Sequence, residues 1–185
     1  ITISGKALVD HFNVSKLKIE QRETKLNEED IKGLYDVGWE DGNELDIKGG
    51  ELKGYLDVRD GNEGFDGSPI YKGIPYYMKK LNEFVRTFAK AFNEGLIDLD
   101  GDGSIDDGRG HADGYTLDSK VGDSPSGIRF FNISGEDGNP LTSEEFLALS
   151  GADIDAKYEN MTAKNFCVGY EVMTDIDSIC TMGAP

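Results

Sequence analysis

Residues 74–94 read IPYYMKKLNEFVRTFAKAFNE. Apolar residues recur in this stretch at steps of three and four, which places them on one face of an α-helix. Pro75 suits the first turn, because its missing N–H would have no partner there, and Gly95 suits a left-handed helix stop. At about 1.5 Å per residue such a helix is roughly 30 Å long. The sequence therefore predicts one long amphipathic helix whose wide apolar stripe needs a sheet or other helices to cover it.

Short strands are predicted on both sides of this helix. Residues 1–20 alternate weakly between apolar and polar side chains, and residues 165–173 alternate more clearly. Residues 34–39 and 44–47 are separated by Asp41-Gly42-Asn43, which predicts a β-hairpin. We therefore predict an α+β fold in which β-hairpins and short antiparallel strands pack beside the long helix.

The predicted layout is a single fragment over residues 1–185, and its opening residues read as the middle of a strand in a longer protein. Residues 52–58 fit either a helix or a strand. Thr142 or Ser143 can cap a short helix over 144–149, with Glu145 placed for a capping box. The parts are a β-rich region with a hairpin and short helix (1–60), the long helix (74–95), an acidic Asp/Gly loop (98–123), and strands with a short helix (128–185).

The formal net charge is 19 − 36 = −17 over 185 residues. A surface this acidic repels nucleic acid and anionic lipid, so we expect neither as a partner. No apolar run in the sequence approaches the ~18 residues of a membrane-spanning helix. The two cysteines, Cys167 and Cys180, lack metal-site or redox spacing and are either buried free thiols or one disulfide. We favour free thiols.

The acidic loop contains the most specific local pattern in the chain. Residues 98–107 read DLDGDGSIDD, which resembles the start of an EF-hand calcium loop. Ca²⁺ takes 6–8 oxygen ligands, so alternate carboxylates on a glycine turn suit it. The predicted ligands are Asp98, Asp100, Asp102, the carbonyl of Ser104, and Asp106, the last directly or through water. Arg109 stands where the pattern needs a bidentate glutamate, so another acid would have to complete the shell; the alternative is a solvated acidic loop.

Candidate catalytic residues are few. His11 and His111 have no partner motif, and the glycine-rich residues 101–110 lack the lysine of a phosphate-binding loop. Cys167 lies between two apolar residues of a predicted strand, which indicates a buried thiol and not a nucleophile. We therefore expect no catalytic activity.

Several stretches, in chain order, resemble the flagellar hook-associated protein 1 family, which forms the hook–filament junction. They are residues 1–9 (ITISGKALV, against V-x-I-x-G-x-x-L-V), 49–60 (GGELKGYLDVRD, against G-x-L-x-G-L-L-x-x-R-D), 74–77 (IPYY, against I-P-x-Y), the long helix with Asn93 near its end, 127–131 (GIRFF, against a strand closing in F-F) and 162–168 (TAKNFCV, against A-x-N-x-x-V). Each stretch alone is weakly specific, whereas the ordered combination covers nearly the whole chain.

The resemblance implies an extracellular structural protein of the bacterial flagellum, exported by the type III apparatus without a cleaved signal. It implies an adaptor between the hook protein and the next junction protein, arranged in the full-length protein as a ring of identical subunits. In that family a helical shaft joins β-rich outer domains, so the long helix would lie on the shaft side.

Under this interpretation the long helix should present apolar or aromatic surface that its own strands do not cover. Tyr76, Tyr77 and Met78 at its start are the candidates, although ordinary core packing is the interpretation that we favour for them. A competing interpretation, resting on the acidic loop alone, is a calcium-stabilised domain of a surface adhesin or extracellular binding module.

Overall fold

The computed structural model describes residues 2–3, 5–43, 45–95 and 110–181. The strands are β1 (Thr2–Ile3), β2 (Lys6–Ala7), β3 (Val9–Asp10), β4 (Asn13–Val14), β5 (Leu17–Gln21), β6 (Tyr35–Trp39), β7 (Phe131–Ile133) and β8 (Phe166–Val168). The α-helices are α1 (Glu51–Asp60), α2 (Ile74–Glu94), α3 (Ser143–Leu147), α4 (Ile154–Tyr158) and α5 (Tyr170–Thr174). The predicted α+β class, with short antiparallel strand pairs and one long helix, is confirmed.

Helix α2 has the bounds that its periodicity predicts. Gly95 follows it with φ 66°, the left-handed conformation that favours glycine at a helix stop. The chain divides into two compact units, Ile1–Lys79 and Lys80–Pro185, so the division falls inside α2.

In the first unit the predicted hairpin over residues 34–47 is wrong in its second strand. β6 pairs antiparallel with β5, with Leu17 opposite Trp39 and Ile19 opposite Val37. These apolar cross-strand pairs stabilise β6 over five residues, whereas residues 45–48 form no strand. The predicted turn is present, since the Gly42 N–H donates to the Trp39 carbonyl at 3.1 Å. Residues 51–60, left open between helix and strand, form α1.

A polar network holds the first unit together. Trp39 is 3% exposed, but most of the other buried side chains in this unit are polar: Asn27, Asp30, Asp60, Asn62 and Ser68. Guanidinium nitrogens of Arg22 and Arg59 lie 3.1 and 2.6 Å from the Asp60 carboxylate, and both arginines also contact Asp36. The Asn27 side chain donates to the Asp60 carbonyl at 3.1 Å. The end of α1 is thereby tied to the loop 22–34 and to β6.

The second unit has an apolar core. Its buried members are Val85 and Ala89 of α2 with Ile133, Phe146, Tyr158 and Met161. β7 pairs antiparallel with β8, with Phe131 opposite Val168 and Ile133 opposite Phe166. The predicted capping box is present at α3, where the Glu145 N–H donates to Thr142 Oγ1 at 3.2 Å and the Thr142 N–H donates to Glu145 Oε2 at 2.8 Å.

Several predicted bounds in the second unit are wrong. The helix expected over 144–149 is Ser143–Leu147. The strand expected over 165–173 ends at Val168, and the N–H of the next residue, Gly169, donates to the Phe130 carbonyl at 2.8 Å. Beyond Gly169 the chain turns into α5, where Glu171 accepts a hydrogen bond from the Ser143 N–H at 2.7 Å.

Buried polar side chains fasten the end of α2 to β7. Asn93 is 0% exposed and bonds both backbone groups of Phe131, accepting from its N–H at 3.0 Å and donating to its carbonyl at 2.6 Å. Glu94 receives two bonds from Arg129, at 2.7 and 3.0 Å, and one from the Tyr158 hydroxyl at 2.8 Å. The side-chain amide of Asn93 therefore takes the place of a neighbouring strand along that edge of Phe131.

Replacing Asp60 by asparagine should destabilise the first unit by about 1–3 kcal/mol at neutral pH, because both arginines lose a buried charged acceptor. Trp39 is the chain's one tryptophan, so urea denaturation followed by its fluorescence reports on this unit. Asp36→Asn is the matched control: this carboxylate bonds the same arginines, but its side chain is 54% exposed, so the loss should stay below about 1 kcal/mol. Equal losses in the two variants would contradict this account of the network.

Acid should weaken the same network. Burial raises the pKa of Asp60, but hydrogen bonds from Arg59 and Arg22 outweigh burial and hold this pKa below its ordinary value. The stabilisation is complete above the unfolded-state pKa, about 3.9 for aspartate, and is lost as pH falls through the lower folded-state value. We expect the urea midpoint by Trp39 fluorescence to fall more steeply below about pH 5 in the unsubstituted chain than in Asp60→Asn. Parallel pH profiles would refute this contribution.

Replacing Asn93 by alanine should destabilise the second unit by roughly 2–6 kcal/mol, because two part-buried backbone groups of Phe131 lose their partner at about 1–3 kcal/mol each. The measurement is urea denaturation followed by circular dichroism at the helix band. Asn139→Ala, at an exposed asparagine that bonds Asp137, is the control and should change stability by less than about 0.5 kcal/mol.

Candidate interaction surface

One side of helix α2 is apolar and open to solvent. We call it the α2 apolar face. Its members are Ile74 (53% exposed), Tyr77 (63%), Met78 (42%), Leu81 (52%), Phe84 (62%), Phe88 (43%) and Phe92 (44%). They recur at helical spacing along all 21 residues of the helix.

The α2 apolar face lies next to the buried face and is distinct from it. Val85 is 7% exposed and Ala89 is 0% exposed, whereas Phe84 and Phe88, each one residue earlier, project to solvent. One residue is a rotation of about 100° around a helix, so the apolar arc of α2 extends well beyond the part that contacts the core. The sequence predicts that a sheet or other helices cover the apolar stripe. The core of the second unit covers only part of its width.

The rings of this face form an ordered row. Phe84 and Phe88 are stacked with centroids 6.0 Å apart, and Phe88 and Phe92 follow at 6.5 Å. Phe88 also contacts Phe131 at 5.1 Å, and Phe92 contacts Phe130 at 5.3 Å. Contacts on one side hold the rings in place while the other side stays exposed, so a partner would meet a surface that is already ordered.

The exposed area is large for a single helix. An aromatic side chain has on the order of 150–250 Å² to bury, so seven side chains of about that size that are about half exposed leave roughly 500–900 Å² uncovered. Exposed patches on monomeric proteins seldom exceed about 300–600 Å², and one partner of a standard interface buries about 800 Å². The α2 apolar face therefore has the size of an interaction surface.

Of the residues that sequence reasoning proposed for such a surface, Tyr77 and Met78 belong to the face. Tyr76 is half-buried, with the Lys72 ammonium 5.0 Å from its ring centroid. Core packing is thus the wrong description of Tyr77 and Met78. The part from Leu81 to Phe92 was missed, because its periodicity was assigned to the core; the width of the stripe was the available signal.

Each candidate catalytic histidine has its own local partners. The His11 side chain is 87% exposed and contacts Asp10, whereas His111 is buried with both ring nitrogens bonded to backbone groups. Cys167 and Cys180 are half-buried free thiols, and burial raises the pKa of Cys167. The favoured interpretation of the cysteines as free thiols is confirmed.

A recess beside buried acids belongs to the polar network. It measures about 270 Å³ and is lined by residues of the loop 22–34, including Arg22 and Asp30. Arg22 lies 3.6 Å from Asp30 and 3.1 Å from Asp60, and the pKa of Asp60 is lowered. A carboxylate held ionised by two arginines is suited to an ion pair and not to proton donation at neutral pH.

The predicted calcium ligands, residues 98–106, lie outside the described residues. Within the described ranges, no group of three or more His, Cys, Asp or Glu side chains is arranged to hold a metal ion. None of the described helices combines the length and apolar character needed to cross a bilayer.

Calcium binding stays a prediction, and its test is thermal. Ca²⁺ that binds the folded chain raises its melting temperature by mass action, so EDTA should lower that temperature and excess Ca²⁺ should restore it. Replacement of Asp98, Asp100 and Asp102 by asparagine should abolish the response. An unchanged melting temperature under both conditions would rule out the calcium loop.

Searches against protein-family models, curated proteins and solved structures found no match to this chain.

Proposed function

We propose that this chain is a non-catalytic structural component of the bacterial flagellum, acting as an adaptor at the hook–filament junction. The observation that supports this proposal is the α2 apolar face, an ordered row of apolar side chains along a helix of 21 residues. Such a surface favours permanent contact with other protein over turnover of a small molecule.

The occupant we propose for this face is an apolar helix of the same assembly, on its shaft side. The row of exposed side chains follows the 3–4 spacing of one helix face, which matches the ridges that a second helix packs against. The charge of −17 on the chain argues against a membrane surface as the occupant.

The segments that resemble the junction-protein family have structural roles here, which supports the proposal. The asparagine near the end of the long helix, Asn93, bonds the backbone of Phe131 in the F-F stretch. Ala163 of the A-x-N-x-x-V stretch donates its N–H to Asn82 of α2 at 2.9 Å, and Asn165 accepts from the Thr162 N–H at 2.7 Å. Residues that fix one element to another in this way are expected in a structural protein.

The proposal extends to location and partners. The protein is extracellular, and it contacts the hook protein on one side and the next junction protein on the other. In the full-length protein, identical subunits associate in a ring. Binding of nucleic acid or membrane forms no part of this function.

Immunogold microscopy tests the location. Antibodies raised against the chain should label flagella of the source bacterium at the junction between hook and filament, and only there. Labelling spread over the cell envelope would favour the adhesin alternative, and labelling along the whole filament would contradict an adaptor role.

Phe84→Glu in the full-length gene tests the α2 apolar face. Phe84 is 62% exposed, so the substitution should change folding stability by less than about 1 kcal/mol while it abolishes flagellar assembly and swimming. Phe12→Glu, at a fully exposed phenylalanine outside α2, is the matched control and should leave swimming intact. Normal swimming of the Phe84→Glu strain would contradict the role of this face.

A further inference from the structure

His111 is a buried histidine inside the second unit. It is 8% exposed, and its ring lies against Phe92 and Phe130 with centroid distances of 6.1 and 5.4 Å. A ring in this position has little access to water, so its two nitrogens need partners within the protein.

Both nitrogens have backbone partners, and together they define the proton's position. Nδ1 lies 2.7 Å from the carbonyl oxygen of Ile128, so Nδ1 carries a hydrogen and donates it. Nε2 accepts the N–H of Cys180 at 3.0 Å, so Nε2 carries a lone pair. The geometry therefore requires the neutral imidazole protonated at Nδ1.

The hydrogen bonds of the His111 ring hold the residues around Cys180 in place. Cys180 Sγ lies 2.8 Å from Ser126 Oγ. A Cβ added at Gly114 would lie 2.7 Å from the Cβ of Cys180, so position 114 has no room for a residue larger than glycine. His111 thus joins the turn His111–Asp113, the residues around Ile128 and the residues around Cys180.

We propose that His111 is a proton-operated clasp that releases the segment around Cys180 on acidification. The added proton goes to Nε2, where it faces the N–H of Cys180; two donors then oppose each other and the hydrogen bond is lost. The Nδ1 bond to Ile128 survives, so release is confined to the Cys180 side.

The ionisable groups on the elements around the ring, within the described residues, are Asp113 on its own turn, the Glu94–Arg129 ion pair, the thiol of Cys180, and Asp175 and Asp177 before it. Glu94 and Arg129 are bonded to each other at 2.7 Å, and Asp113 accepts from the Gly110 N–H at 3.4 Å. This device is independent of the proposed flagellar role.

Thiol protection in Cys167→Ser protein tests the clasp, because Cys180 is then the single thiol. The probe is 4,4′-dithiodipyridine, which reacts with thiols in mild acid, and the same protein unfolded in urea gives the reference rate at each pH. Protection of Cys180 should fall by roughly tenfold or more between about pH 7.5 and about pH 5. Unchanged protection would overturn the proposal.

Two further variants in this background assign the effect to one ring. His111→Gln should remove the pH dependence, and His11→Gln, at the exposed histidine, should retain it. Persistence of the pH dependence in His111→Gln, or its loss in His11→Gln, would overturn the proposal.

A measurement on the unsubstituted chain covers the case in which His111→Gln fails to fold. The ¹⁵N chemical shifts of the two imidazoles separate their titrations, and at neutral pH His111 should show the Nδ1–H tautomer. The His111 transition should coincide in pH with the loss of Cys180 protection. The opposite tautomer, or transitions at different pH, would refute the clasp.

Discussion

Helix α2 carries a wider apolar arc than the core of the second unit covers. Val85 and Ala89 anchor the core of the second unit, while the adjacent Phe84 and Phe88 remain in solvent. A helix with apolar residues over so much of its circumference is normally enclosed. The uncovered part is ordered by the rings beneath it, which is why we infer a partner surface and not a packing defect.

The two units reach stability by different means. The second unit buries aliphatic and aromatic side chains and uses Asn93 and Glu94 to fix the end of α2. The first unit buries mainly polar side chains, with Asp60 bonded by two arginines. An ion pair of this kind requires every partner, since removal of one leaves a buried charge without compensation. The first unit should therefore be the more sensitive of the two to acid.

The features that could be predicted from the sequence are those that depend on the local pattern of side chains. The bounds of α2 and the Thr142–Glu145 capping box follow from periodicity and short-range side-chain chemistry. The partner of β6 was missed, because pairing with β5 across the loop 22–34 depends on cross-strand contacts that local alternation does not specify. The exposed face of α2 was missed over Leu81 to Phe92 for a related reason: periodicity shows that a face is apolar, not which part of it is covered.

We propose that protein covers the α2 apolar face in the assembled flagellum, and thiol labelling at that face tests this proposal. Phe84→Cys, in a full-length protein whose native cysteines are replaced by serine, provides the reporter. A polar maleimide should label this position rapidly in the isolated chain and at least roughly tenfold more slowly in intact flagella. Thr87→Cys, at an exposed polar position of the same helix, calibrates access of the reagent. Equal labelling of position 84 in the isolated chain and in intact flagella would contradict the account.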